Sequence, residues 1–300
     1  MSVPAARLAA QAKVNLALRV GGRRPDDYHE LATIFARIDL ADDVVVRTLR
    51  SGVSVRVMRE GVPDESVGPA ERNLAALAAR AYMRESQWPT GCGIDIEKRI
   101  PVGAGLGGGS ADAGTVLRAL DSLAPRPLGV ARLRGLGATL GADVPFLTLE
   151  SPLALGTGRG DVVQTLPPLP LHWLALVLPP FSVATSDAYA WLDAARPSNG
   201  DGTTLDAEPL RAAAQNWETL EAIATNDLQP VVASRYPQID TYCDILRTRG
   251  ARIALMSGSG SAVFGLFREQ PDVAEIARMC NAPTILARVP ARVVASLGSE

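Results

Sequence analysis

Apolar and polar positions alternate over Ala12–Val20, with Val14, Leu16 and Leu18 on one face and Lys13, Asn15 and Arg19 on the other. A period of two predicts a β-strand. Thr33–Ile38, Val44–Thr48 and Val53–Met58 are short runs rich in β-branched residues, and they predict three more strands. The period then changes. Leu74, Leu77, Ala78, Ala81 and Tyr82 recur at helical spacing, so Glu71–Glu85 predicts a helix. Ile94–Ile100 predicts another strand, which runs into Pro101-Val-Gly-Ala-Gly-Leu-Gly-Gly-Gly-Ser-Ala-Asp112. This glycine loop opens an Ala/Leu-rich helix that ends near Leu123, and Val130–Leu140 predicts a further helix closed by Gly141.

The segment Pro167-Pro168-Leu-Pro170 is the natural boundary, dividing the chain into residues 1–165 and 166–300. Beyond it, Trp173–Leu178 predicts a strand, Ser186–Ala194 a short helix and Gly200–Thr203 a polar loop. Leu228–Arg249 is mostly helical, with a break at Pro237. Ile253–Met256 and Ala262–Phe267 flank Ser257-Gly-Ser-Gly-Ser261 as the arms of a hairpin would. Val273–Cys280 then predicts a helix and Thr284–Val289 a closing strand. The order strand-helix-strand-strand-helix-strand predicts a ferredoxin-like layer in this half, and an α+β chain as a whole.

With 47% hydrophobic and 21% charged residues in 300, the chain has ample material for a core without metal or disulfide support. A net charge of −2 gives no general attraction to nucleic acid or an anionic membrane, so any basic site is local. No run approaches the roughly 18 apolar residues of a membrane span. Cys92, Cys243 and Cys280 are far apart and odd in number, which argues against a disulfide framework and for a reducing, cytoplasmic setting.

Gly103, Gly105, Gly107, Gly108 and Gly109 place almost no side chains at the start of a helix. Backbone N–H groups can approach an anion closely there, and the helix dipole favours negative charge. A tight strand-to-helix turn is the plain alternative, but so many glycines are an entropically costly way to make one. The Walker pattern needs a lysine where Gly109 stands. Gly103, Gly105 and Gly108 match G-x-G-x-x-G, yet the acidic residue at the distance a dinucleotide fold requires, Asp121, follows no strand. The pattern predicts a phosphate cradle of another kind, beside the plain turn.

Pro101–Asp112 resembles the second signature of the GHMP kinases, the superfamily of galactokinase, homoserine kinase, mevalonate kinase and phosphomevalonate kinase. Ser257-Gly-Ser-Gly-Ser-Ala-Val-Phe264 resembles its third signature, and Lys13-Val-Asn-Leu-Ala-Leu18 its first. All three stand in the family's order and span nearly the whole chain. Arg23-Arg-Pro-Asp-Asp-Tyr-His-Glu-Leu31, Gly141-Ala-Asp-Val-Pro-Phe146 and Asn226-Asp-Leu228 are similar to one branch, which phosphorylates a cytidine diphosphate-linked methylerythritol in the non-mevalonate route to isoprenoids. Asp27 departs from that branch, which usually has glycine there.

The resemblance implies a two-domain fold, with an N-terminal ribosomal-protein-S5-like, ATP-binding domain and a C-terminal ferredoxin-like, substrate-binding domain. It also implies ATP and Mg²⁺. By itself Asp143 reads as a turn residue capping the next element, and Lys13 as a solvated strand lysine. The resemblance makes Asp143 the base that takes the acceptor's proton, with Lys13 beside it to stabilise the developing alkoxide. Asn15 shares a face with Lys13 and is assigned to the substrate.

Tyr28 and His29, otherwise ordinary half-exposed loop residues, are implied to stack on and hydrogen-bond the cytosine. Tyr189, by itself a helix core residue, falls where the family has a second ring. Pro101, Val102, Gly103, Ala104, Gly105, Leu106, Gly107, Gly108, Gly109, Ser110 and Ala111 are implied to hold ATP, with Lys98 and Asn73 nearer the adenosine. Ser110 is also open to a plain helix N-cap role or to magnesium. A small-molecule substrate, no nucleic acid, no membrane, and a monomer or weak homodimer complete the expectations. Another GHMP kinase, or a catalytically silent nucleotide-binding protein on the same fold, is the competing reading.

Overall fold

The structure, a computed structural model, describes residues 4–60, 62–63, 72–88, 90–196 and 205–293. The predicted loop Gly200–Thr203 and Glu71 of the first predicted helix lie outside the described residues.

Strands β1 (Ala5–Arg23) and β2 (His29–Leu49) form a long antiparallel hairpin. Thr33–Ile38 and Val44–Thr48, expected as separate strands, are parts of this one 21-residue β2. The acidic residues between them do not break the strand because each has a partner. Asp39 accepts from the Arg288 N–H and guanidinium, Asp43 from Arg7, and Asp42 from Lys98 and the N–H groups of Arg99 and Ile100. The other edge of β2 pairs with β5 (Gly91–Glu97) along its C-terminal half and β6 (Leu153–Gly158) along its N-terminal half. β3 (Val53–Arg59) lies parallel to β5, joined through α1 (Leu74–Ser86), while β4 (Val62–Pro63) and β7 (Val162–Thr165) end the sheet.

A bulge in β1 corrects the predicted face pattern. The pairing runs Asn15↔Phe35 and then Ala17↔Ile34, so one residue of β1 is extra. Val14, Leu16 and Ala17 therefore stay in the main core, while Leu18 and Val20 turn into a second core shared with the C-terminal half. Leu18 lines the same cavity as Lys13 and Asn15, instead of facing away from them. Each such fully buried aliphatic side chain stabilises by about 1.5–3 kcal/mol.

Helix α2 (Gly108–Leu123) packs on β1, with α3 (Val130–Leu140) and α4 (Val144–Thr148) beyond it. A Cβ at Gly114 would lie 2.6 Å from the Leu147 backbone, so glycine lets α2 and α4 meet main chain to main chain. That contact fixes where Asp143, at the head of α4, stands. The short α4, β6 and β7 give too few residues for a period to register, and the sequence pattern missed them.

The second layer contains β8 (His172–Val177), α5 (Thr185–Ala195), α6 (Glu208–Ala213), α7 (Trp217–Ile223), α8 (Gln229–Ala233) and α9 (Gln238–Thr248), followed by β9 (Ile253–Met256), β10 (Val263–Phe267), α10 (Val273–Cys280) and β11 (Thr284–Val289). The sheet order β11-β8-β10-β9, antiparallel throughout, is the ferredoxin-like layer that the pattern predicts. Pro237 sits at the break between α8 and α9, as expected. Helices α6 and α7 were not predicted. No helix among the described residues is long and apolar enough to cross a membrane.

Candidate active site

The three glycine and lysine segments converge. The Lys13 N–H donates to the Leu106 carbonyl at 3.0 Å, tying β1 to the first glycine loop. Ser257 Oγ donates to the Gly105 carbonyl at 3.0 Å and the Ala262 N–H to the Ala104 carbonyl at 3.2 Å, tying the C-terminal loop to it. Asn226 Nδ2 donates to the carbonyls of Met256 and Gly258, both at 2.7 Å, and so holds the C-terminal loop closed. Asn226, in the Asn226-Asp-Leu228 stretch, is a supporting residue, buried at 3% exposure.

Lys13 Nζ lies 3.2 Å from Asp143 Oδ2 and donates to Asn15 Oδ1 at 2.8 Å. Lys13 is not a solvated strand residue: it is 4% exposed, with its ammonium over the Phe35 ring. Nor does Asp143 cap α4; it occupies the N-cap position but makes no capping hydrogen bond, which leaves its carboxylate for Lys13. Asn15, which the resemblance assigns to the substrate, lines a cavity together with Lys13 and is hydrogen-bonded within the site. Its Oδ1 accepts from Lys13, its Nδ2 donates to Thr33 Oγ1 at 2.8 Å, and Thr33 in turn donates to the Ala17 carbonyl. Buried at 3% exposure, it orients Lys13.

A cavity of about 680 Å³ opens over this pair, lined among others by Tyr28, His29, Arg159, Tyr189 and Asp193. The Tyr189 ring stacks on His29, with centroids 5.0 Å apart, and the Tyr28 ring lies under the Arg159 guanidinium. Burial, and then the Asp143 carboxylate, push the Tyr189 phenol above its ordinary pKa. Phe35, Thr33, Arg159 and Asp193 also line this cavity, and no motif in the sequence assigns them to the site. Asp193 lies one helical turn beyond Tyr189, a spacing that could have flagged it.

A second cavity, of about 320 Å³, runs along Pro101–Gly109 and is also lined by Arg72, Asn73, Leu74, Lys98 and Asp112. Gly105 and Gly107 line both cavities, so the glycine loop is their common wall. Gly103, Gly105 and Gly107 have φ of 72°, 76° and 70°. Gly107 is the N-cap of α2, so Ser110 is not the cap; no side chain caps this helix, and its first N–H groups are left for a ligand.

Ala111 is buried, its N–H donates to the Gly107 carbonyl, and it does not line this second cavity. Ser110 lies in the first turn of α2, outside the residues that line the cavity. Asn73 caps α1 through the Ala75 N–H. Lys98 does not present a free charge, since its ammonium is held between Asp42 and Asp112. Asp112 is itself buried. Burial, and the nearby Asp42, push its pKa up to about 8 although Lys98 opposes this, and its Oδ1 is buried without a partner.

Two GHMP kinase family models match, the N terminal domain over residues 73–151 and the C terminal over 209–284. A 4-diphosphocytidyl-2-C-methyl-D-erythritol kinase of Citrifermentans bemidjiense is 42% identical over 268 residues, 88% of this chain and 90% of that one. A Moorella thermoacetica protein of the same name is 40% identical over 86% of this chain and 89% of its own. The crystal structure of a 4-(cytidine 5'-diphospho)-2C-methyl-D-erythritol kinase, 36% identical, superposes with a TM-score of 0.75 over 94% of this chain and 98% of that one. Homoserine kinase of Cytophaga hutchinsonii, at 19% identity and a TM-score of 0.73 over 97% and 96%, shares the fold. With both halves of the fold, all three signatures and relatives of this similarity along most of its length, the chain belongs to the 4-diphosphocytidyl-2-C-methyl-D-erythritol kinase family of the GHMP kinases.

Proposed function

We propose that this chain transfers the terminal phosphoryl group of ATP to the 2-hydroxyl of 4-diphosphocytidyl-2-C-methyl-D-erythritol, the phosphorylating step of the non-mevalonate isoprenoid pathway. One observation carries the reading: the glycine loop is a wall shared by two cavities, and Lys13 and Asp143 meet at that wall. The smaller cavity takes the nucleotide, with its phosphates against the loop. The larger takes the acceptor, with its cytosine toward Tyr28, His29 and Tyr189 and its reacting hydroxyl toward Asp143.

Phosphoryl transfer asks the protein mainly for positioning and charge. Asp143 accepts the proton of the acceptor hydroxyl as that oxygen bonds to the γ-phosphorus and the bond to the β,γ-bridging oxygen breaks, releasing ADP. Lys13, steadied by Asn15, stabilises the negative charge that develops on the attacking oxygen. The N–H groups at the head of α2 hold the phosphates. When bound, magnesium neutralises phosphate oxygens. The residues fit such an ion: the unpartnered buried Oδ1 of Asp112, on the wall of the smaller cavity, would hold it. Residues 1–165 form the ATP-binding and catalytic part and residues 166–300 the substrate-binding part of a cytoplasmic enzyme, a monomer or weak homodimer.

ADP release measured with the cytidine substrate, homoserine and mevalonate tests the assignment. Turnover with the cytidine compound alone is expected; turnover with either other alcohol, or with none, overturns it. Cytosine stacking is tested at Tyr189. Stacking on an aromatic ring is worth about 1–3 kcal/mol, so Tyr189→Ala raises the KM for the cytidine substrate roughly 5–150-fold, while the ATP constant barely moves. Tyr189→Phe keeps the ring and remains near wild type. An unchanged KM in Tyr189→Ala would return Tyr189 to the core.

A further inference from the structure

His29 and Asp193 meet across the two halves of the molecule. His29 begins β2, and Asp193 stands in the last turns of α5, on the same helix as Tyr189. Asp193 Oδ1 is 2.7 Å from His29 Nε2. Tyr189, four residues earlier, stacks on the same imidazole with an interplanar angle of 25°. One helix thus grips the ring by its face and by its Nε2 edge. His29, Tyr189 and Asp193 all line the larger cavity.

The contact dictates a tautomer. A carboxylate oxygen only accepts, so the proton of a neutral imidazole must sit on Nε2. Nδ1 is then left as an acceptor, and no protein donor reaches it among the described residues. An acceptor pointing at a pyrimidine edge distinguishes the two common bases. Cytosine offers an exocyclic amino group, a donor, where uracil offers a carbonyl oxygen, another acceptor.

We propose that Asp193 is a positioning residue for base selection: by fixing His29 as the Nε2–H tautomer it turns Nδ1 into an acceptor for the cytosine amino group and against uracil. This rests on the cytidine reading of the larger cavity. It assigns a role to a residue that touches neither ATP nor the reacting hydroxyl. The Asp193 side chain is 46% exposed, so its replacement leaves the core intact.

Two measurements on the full chain test it. In the first, KM is compared for the cytidine diphosphate-linked substrate and its uridine counterpart, in wild type and in Asp193→Ala. The wild-type preference for cytidine is expected to fall about tenfold in the variant, which is the share of one neutral hydrogen bond. A preference that Asp193→Ala retains in full overturns the role of Asp193 alone. A wild-type protein that takes both nucleotides equally, or neither, overturns the cytidine reading beneath it.

The second measurement reads the tautomer without reference to activity. His29 and His172 are the only histidines, so ¹⁵N-labelled histidine gives two assignable imidazoles. With the imidazole neutral, His29 should be the Nε2–H form in wild type and a mixture in Asp193→Ala. An Nδ1–H imidazole in the wild type, or an unaltered tautomer in the variant, overturns the proposal.

Discussion

Asp143→Asn lowers turnover by about 10²–10⁴-fold, with affinity for ATP nearly unchanged. The substitution keeps the shape of the side chain and removes only its ability to take a proton. Lys13 retains one acceptor, Asn15 Oδ1 at 2.8 Å, so its ammonium is not left unsatisfied in its buried setting. The fold is insensitive to the change, because Asp143 makes no capping hydrogen bond to α4 and its side chain is 29% exposed. Asp143 lines the larger cavity and not the one along the glycine loop, so nucleotide binding is spared. Steady-state kinetics with both substrates varied, together with calorimetric titration of the nucleotide, separate these effects. Near-normal turnover in the variant would reduce Asp143 to a turn residue.

Gly107→Ala is expected to lower turnover about 10²-fold while the protein still folds. Two physical costs act at this position. With φ of 70°, the backbone is in the left-handed region, where an L-side chain costs about 1–2 kcal/mol. A Cβ would also lie 3.1 Å from both Cγ and Cε of Lys13, and 3.5 Å from Asp143 Oδ2. The lysine stem is flexible enough to give way, so the added methyl moves the ammonium and does not unfold the loop. A shift of about 1 Å in a reacting geometry is sufficient for a loss of this size. The loop therefore needs a glycine here as much for its neighbour Lys13 as for the phosphates. A thermal melt checks that the fold survives, and single-turnover kinetics measure the chemical step. Unchanged turnover would mean that Lys13 does not act through this contact.

The elements legible in the sequence were those whose physics is local. Val130–Leu140, Val273–Cys280 and Thr284–Val289 match their predicted bounds because each carries enough residues of one period to declare itself. The hairpin around Ser257–Ser261 and the helix after the glycine loop were equally plain, since glycine and proline mark turns wherever they fall. The family was legible too, because its three signatures are contiguous stretches. Lys13 and Asp143 could be named from those stretches, although no local rule brings together two residues 130 positions apart in the chain.

What only the tertiary structure decided was where shared groups find their partners. Asp39, Asp42 and Asp43 look like a strand break until Arg288, Lys98 and Arg7 reach them from elsewhere in the fold, and then β2 runs straight through. A one-residue bulge turns Leu18 toward Lys13, and no alternation of apolar residues announces it. Asn15 and Lys98 carry the polar groups of binding residues, yet their hydrogen bonds go to Lys13 and Thr33, and to Asp42 and Asp112. A sequence gives each side chain its chemistry. Burial and long-range pairing then decide which of those groups the protein uses on itself, because a polar atom removed from water must find a partner inside the fold or be left for a ligand.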